Sequence, residues 1–511
     1  MAAKAKKKKK QVKSSVNNKE KIEVKNKSTI SKTKKDIKTS RWDDKNKKKV
    51  FSKELIGIII FVIYAIIFLY VSCHHELWRD EAQSWEIAKN LNIFEIFGQL
   101  KYEGHPFLWY YFLRIFAILK MKYIYIGFIS AILNLITTFI FLKKSRFNNF
   151  VNAIVIFSSG FFLFAGIVCR SYSLAYLLMI LLMFMYKDRY DKPVYYGVLI
   201  FLIMNTHILL LGFIGSLMLI DLYEFVKVKE HRKSIIISAS MFLGGLVLLF
   251  LQFFNTVGST GKSPQFSKFA HFWQEMKNIF MAVLGKPWLL GCTFIIMIIL
   301  LIYLIVKKEY KNLIIYFCSV VFQILFALLI YGSVNATCLI YLCILFVVMQ
   351  LEDINLFVSG VIVFLFGFTL NVTYGYMDNE VKYVFSDSIN VAKFIEEEIP
   401  KGSKIYCESI DFCVAISSYI PHGKYHFIDY NTDKEFIFTP YGDYLKVVNN
   451  LNVVNDPDFL KKKKLDYYID KAFNANMFEN KVGSDDYELI YSTKVPVLFS
   501  GESYVIYKYV G

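Results

Sequence analysis

The feature that most constrains this chain is a succession of apolar stretches, each close to the length that crosses a bilayer. A spanning helix takes roughly 20 apolar residues. Such stretches fall at about 54–72, 123–142, 150–169, 171–186, 193–206, 207–226, 234–252, 288–306, 312–331, 334–350 and 353–375. Apolar residues make up 55% of the 511, and mean hydropathy is +0.40, which soluble domains rarely reach. The sequence therefore predicts an α-helical polytopic membrane protein of about eleven spans.

Charge orients the spans. Residues 1–50 carry 20 Lys/Arg and five Asp/Glu, so +15 of the net +18 lies there. With almost no apolar residues this segment cannot bury a core, and it is expected to be a disordered cytoplasmic tail touching anionic lipid rather than a nucleic-acid-binding arm or a signal peptide. The segment 106–120, PFLWYYFLRIFAILK, reaches only about 22 Å as a helix against about 30 Å of hydrocarbon. If it lies in the interface, Lys143-Lys144-Arg146, Lys187-Arg189-Lys192, Lys227-Lys229-Arg232-Lys233 and Lys307-Lys308-Lys311 all fall inside with the tail. If it spans, all four flip outward, so the positive-inside bias favours the first arrangement. The expected protein is a multi-pass plasma-membrane protein with its N-terminus cytoplasmic and its C-terminus extracytoplasmic. It comprises a tail (1–50), a membrane domain (51–375) with external loop 73–105 and interfacial helix 106–120, and an external α/β domain (376–511).

In that last domain, Ile389–Ile399 has helical periodicity, Lys404–Glu408 reads as a strand, and further strands are expected near 425–429, 487–492 and Ser503–Tyr509. Cys407 and Cys413 are a candidate disulfide there, while the other six cysteines sit in or beside apolar spans. The GSTGKS string in the loop at about 253–287 is no P-loop: Gly258 and Gly261 are too close together and no strand precedes them.

Loop 73–105 holds six carboxylates from Glu76 to Glu103 against three basic residues. Charged clusters held against a bilayer are usually functional. Asp80 and Glu81 are neighbours on a helix, about 100° apart, so they need not share a task; the bland reading makes both N-terminal helix charges. The functional reading makes Asp80 a general base taking the proton from an attacking sugar hydroxyl. A phosphate leaving group departs as an anion and needs a cation, for which Arg170 at the outer junction Cys169-Arg170-Ser171-Tyr172 is the candidate; alternatively Arg170 snorkels to headgroups. His207, after Asn205-Thr206, is a candidate for phosphate or sugar binding, or an interfacial histidine. Glu81, Glu103 and His105 are possible ligands of a divalent metal, although their spacing is no metal motif.

The strings LWRDEAQSWEIAKN, YEGHPFLWYY, CRSYSLAYLL and NTHILLLGF, in this order, resemble the C-type (GT-C) membrane glycosyltransferases, the superfamily of the protein O-mannosyltransferases and the lipid A aminoarabinose transferase. The resemblance covers about 54–226 well and the later spans by architecture. It implies a hexosyl- or pentosyltransferase using a sugar on a polyprenyl phosphate. Transfer would occur on the outer face, with inversion, to an extracytoplasmic glycan, lipid or protein. Asp80 would be catalytic with Glu81 beside it, and Arg79, Glu103, His105, Arg170, Tyr172 and His207 would be substrate-binding. One departure stands out: where look-alikes tend to carry a basic or histidine pair before a late span, this chain has Ser333-Val334-Asn335-Ala336. The rival readings are a flippase or transporter of lipid-linked glycans, which should place ionisable groups at mid-membrane depth, and an inactive scaffold.

Overall fold

The computed structural model describes residues 53–253, 266–331, 337–408, 410–430, 432–440, 465–472 and 486–511. The basic tail 1–50, the GSTGKS string and Ser333-Val334-Asn335-Ala336 lie outside the described residues. The chain divides into two units, Met1–Ile60 and Phe61–Gly511; the site described below lies wholly within the second.

Among the described residues, seven helices are long and apolar enough to cross a membrane: Lys53–Ser72, Tyr123–Lys144, Ile208–Lys227, Lys229–Phe253, Trp288–Val306, Tyr310–Leu329 and Leu356–Lys382. Asn149–Ile156 and Gly160–Ile167, bent by 44° at their break, make an eighth if counted as one span. The expected count of eleven is not reached by length. The segments expected at 171–186, 193–206 and 334–350 form the helices Ser171–Met185, Pro193–Met204 and Thr337–Gln350. At 1.5 Å per residue these reach only about 18–23 Å. Thr337–Gln350 is buried along its entire length, as a helix apolar on every side should be. The segment 106–120 forms the short helix Leu108–Ile118.

The bent pair positions the site. Gly160–Ile167 is π-helical, which loosens the carbonyl ladder and turns the chain. Asn134 fills the opening: its Nδ2 donates to the Phe161 carbonyl at 2.7 Å, and its Oδ1 accepts from the Tyr64 hydroxyl at 2.7 Å. Gly166 is required by close approach, because a Cβ there would lie 2.5 Å from the Phe68 ring. The bend delivers the chain to Cys169-Arg170, where Ser171–Met185 begins.

The C-terminal domain is built on a five-stranded sheet of β1 (Lys404–Cys407), β2 (His426–Asp429), β3 (Tyr467–Lys471), β4 (Tyr487–Ser492) and β5 (Tyr504–Tyr509), in the order β2-β1-β3-β5-β4. β1 runs parallel to β2 and β3; β5 is antiparallel to β3 and β4, with a bulge at Leu489/Tyr491. Tyr430, Leu465, Tyr468, Tyr487, Val505 and Tyr507 form a core cluster. The helices Ser388–Glu398 and Ile410–Tyr419 pack together, and the second packs on Arg79–Asn90 of the first loop. The expected helix and four strands are present within a residue or two. Ile410–Tyr419 and β3 were not anticipated: the first is rich in β-branched and aromatic residues, and the second is five residues long. Cys407 and Cys413 are buried free thiols, so the candidate disulfide is not formed.

Candidate active site

The helix Arg79–Asn90 starts without a side-chain cap from Trp78. Glu81 supplies the missing acceptor: its Oε2 takes the Trp78 N–H at 3.1 Å. Its Oε1 takes the Cys169 N–H at 2.6 Å, with His75 Nε2 at 3.5 Å. Glu81 is fully buried. Its carboxylate ties the first loop to the backbone beside Arg170, and nothing of it faces solvent.

Asp80, one residue earlier, points elsewhere. Its Oδ2 lies 2.5 Å from Arg170 Nη1 and its Oδ1 3.2 Å from Arg79 Nε, and the side chain is 35% exposed. Arg170 also places Nη2 3.1 Å from His105 Nε2. A guanidinium only donates, so that imidazole nitrogen accepts, and His105 carries its proton on Nδ1. His105 is held by its own carbonyl, which accepts from Gln252 Nε2 at 2.7 Å. Gly104, with φ of 73°, caps the helix Ile93–Glu103 in the left-handed region, where glycine is least strained. The EGHP string is thus a helix stop that turns His105 toward Arg170.

Glu103 accepts from Gln83 Nε2 at 2.9 Å and Gln99 Nε2 at 3.3 Å. The residue keeps some surface, but its carboxyl is packed on nearly all sides. Desolvation pushes its pKa up to about 7, against the opposing pull of the two amides and Arg170. His207 is fully buried; its Nδ1 accepts from the Leu209 N–H at 3.3 Å, and its ring lies 5.7 Å from that of His105 and 5.0 Å from that of Tyr172. Burial, aided by Arg170, pushes its pKa down to about 3. Its ring packs beside those of His105 and Tyr172. Tyr172 is itself 5% exposed.

Arg79 faces the C-terminal domain. Its guanidinium lies over the rings of Trp78, Phe412 and Phe499 at 5.5, 4.8 and 5.3 Å. Its N–H donates to Glu502 Oε1 at 3.0 Å. Glu502 is fully buried, also accepts from Ser386 and Tyr504, and is pushed up to about 7 by desolvation. Gln83 grips the backbone of Thr439 twice, donating to its carbonyl at 3.0 Å and accepting its N–H at 2.8 Å.

Asp80, Glu103, His105, Arg170, Tyr172 and His207 therefore converge, while Glu81 stands behind them as a buried anchor. The metal set Glu81, Glu103 and His105 is not assembled: among the described residues no group of three His, Cys, Asp or Glu is placed to hold a metal ion. Sequence reading missed Gln83, Phe412, Thr439 and Glu502. Gln83 lies inside the DEAQ string and was within reach; the other three carry no local signal.

No protein-family model and no curated protein matches the sequence. Among solved structures, the chain is similar to the crystal structure of ArnT from Cupriavidus metallidurans bound to undecaprenyl phosphate. The TM-score is 0.48 and the identity 10%, over 89% of this chain and 98% of that one. A likeness at this level carries no assignment of residues or activity.

Proposed function

We propose that this chain is a GT-C-type membrane glycosyltransferase that moves a sugar from a polyprenyl phosphate to a hydroxyl on an extracytoplasmic acceptor. The observation that carries the reading is the Asp80–Arg170–His105 cluster: a part-exposed carboxylate beside a guanidinium whose other arm meets a neutral imidazole. In the reaction, the acceptor oxygen attacks the anomeric carbon from the face opposite the phosphate. The bond from that carbon to the phosphate oxygen breaks, and the configuration inverts. The hydroxyl proton passes to Asp80, and the polyprenyl phosphate departs as an anion held by Arg170 and the Nδ1–H of His105. Arg170 pairs with Asp80 at rest, and an incoming phosphate competes for the guanidinium.

In this reading Glu81 is a positioning residue, Glu103 and Arg79 border the substrates, and Tyr172 and His207 support His105. The fold sits in the plasma membrane with its N-terminus inside and its C-terminal domain outside, and residues 1–50, 51–375 and 376–511 are its three parts. The test is reconstitution of the full chain in liposomes with radiolabelled lipid-linked sugar. Arg170→Ala should cut polyprenyl-phosphate release about a hundredfold or more, the size of a lost charged clamp. Unchanged release removes Arg170 from the phosphate site and the proposal with it.

A further inference from the structure

Behind the site, one imidazole stands between two buried carboxylates. His75 places Nδ1 3.1 Å from Glu380 Oε1 and Nε2 3.5 Å from Glu81 Oε1, and the side chains of His75, Glu81 and Glu380 are 2%, 0% and 0% exposed. A neutral imidazole donates from one nitrogen and offers a lone pair at the other. Here that lone pair would face a carboxylate oxygen away from water, where electrostatic repulsion is strong. An imidazolium donates at both ends, and both of its acceptors are charged, which is the stronger kind of hydrogen bond. The geometry therefore calls for a cation at His75. Burial opposes that charge, but Glu380 and Glu81 outweigh it and hold the pKa well above the usual histidine value.

The two ends of this bridge lead to different parts of the molecule. Glu380 lies near the end of Leu356–Lys382, the helix that runs into the C-terminal domain. The chain just beyond it is fastened to the first loop as well: Glu76 Oε2 accepts the Phe385 N–H at 2.7 Å, and the Phe385 ring lies 4.8 Å from that of His75. At the other end, the Glu81 oxygen that faces His75 also accepts the Cys169 N–H at 2.6 Å. Arg170, the next residue, meets Asp80 and His105. Without a cation at His75, two buried carboxylates would face each other across the gap, and breaking a buried ion pair in this way is strongly unfavourable. Glu81 would then shift, or take up a proton, and loosen its hold on the Cys169 N–H. With its side chain 2% exposed, His75 is closed to a substrate and acts through Glu81.

Resting on the proposed transferase reading, we infer that His75 is a positioning residue: held as an imidazolium, it joins Glu380 to Glu81 and so fixes the Cys169-Arg170 backbone that aims the phosphate clamp.

Two measurements test this. The first reads the proton itself, by nitrogen NMR of the full chain carrying nitrogen-15 histidine in liposomes at pH 7.5, where an ordinary histidine is about nine-tenths neutral. A histidine with both ring nitrogens protonated should be present, and that signal should be missing from His75→Gln. The second uses cells whose own copy of the gene carries His75→Gln, Glu380→Gln or both. Cells are fed radiolabelled glucose, and the loss of label from the lipid-linked pool is followed per amount of full-length protein, with cells lacking the gene as background. His75→Gln should slow that loss about tenfold to a hundredfold, the size of a small misplacement of the reacting groups. Glu380→Gln alone should slow it less, because the His75–Glu81 pair survives. Adding Glu380→Gln to His75→Gln removes the second charge and should restore about fivefold or more, a coupling that neighbours in one buried network show. A residue that merely filled space would give no such recovery. An unchanged rate in His75→Gln overturns the inference, as does a double variant no faster than His75→Gln. If His75→Gln yields no full-length protein, the wild-type spectrum decides, and the lack of any doubly protonated histidine overturns the inference. If wild-type cells lose label no faster than cells lacking the gene, it is the transferase reading that fails, and with it the positioning role.

Discussion

The arginine–aspartate pairs Arg189–Asp221 and Arg170–Asp80 are built to opposite ends. Arg189 lies between the rings of Tyr186 and Tyr190 at 4.1 and 4.2 Å, with Nε 3.4 Å from Asp221 Oδ1. The Tyr190 hydroxyl donates to the same oxygen at 3.0 Å, and the ring of His231 stacks on Tyr190. Those side chains are 10% and 2% exposed, against 16% and 35% for Arg170 and Asp80. The first pair is nearly enclosed by protein and ties the turn that follows Ser171–Met185 to Ile208–Lys227. The second leaves Asp80 open. Identical residue types thus make a clasp in one place and, in the proposed reading, a working pair in the other; what differs is how completely the neighbours enclose the carboxylate.

The largest effect expected from breaking this comparison is at the enclosed pair. Asp221→Ala should destabilise the full chain by about 3–5 kcal/mol, because it strands a buried guanidinium. Asp80→Ala should cost no more than about 1 kcal/mol. Thermal unfolding of both variants in detergent decides the matter, and equal losses would erase the distinction. Next in size, Arg170→Lys keeps the charge but loses the fork that bridges Asp80 and His105, and should lower sugar transfer about 10- to 100-fold; the thermal midpoint should barely move. Glu81→Gln is smaller again. The amide NH₂ must face one of two backbone N–H groups, costing about 1–3 kcal/mol, and transfer should fall only as far as Arg170 shifts.

The smallest effect is on pH dependence. Glu103 and Glu502 are raised by burial from an ordinary 4.5 to about 7. Between those values the folded chain binds protons that the unfolded chain has lost, so stability falls as pH rises through that window. His75 adds the same sign above it: burial works against its cation, but Glu380 and Glu81 outweigh that and raise it well above its usual value. His207, lowered to about 3, acts oppositely, and its share of stability is lost as pH falls below 6.5. The thermal midpoint should therefore be lower at pH 8 than at pH 6, and Glu103→Gln should reduce that difference; an undiminished slope would remove Glu103 from the account.

The divergence of Asp80 and Glu81 was legible, because helix geometry alone points neighbours about 100° apart. The convergence of the DEAQ, EGHP, CRSY and NTH strings was legible from charge placement, which put all four on one side. The enclosure of His207 was not: polar Asn205-Thr206 precede it, and the rings of His105 and Tyr172 packed near it come from two other segments. Glu502 was not legible for a related reason. It is a lone carboxylate in an ordinary stretch, and it gains its meaning from Arg79, 423 residues earlier in the chain. The helices at 171–186, 193–206 and 334–350 were placed within two or three residues, but apolar content alone marks a buried helix as readily as a spanning one, and these three are short for a bilayer.

The central claim is that Asp80 takes the acceptor proton. Asp80→Asn keeps shape and hydrogen bonding but removes the base. In liposomes holding the full chain, lipid-linked sugar binding and sugar transfer should be measured side by side. Binding should remain within a few-fold of wild type while transfer falls by about two to four orders of magnitude. Full transfer by Asp80→Asn would contradict the account.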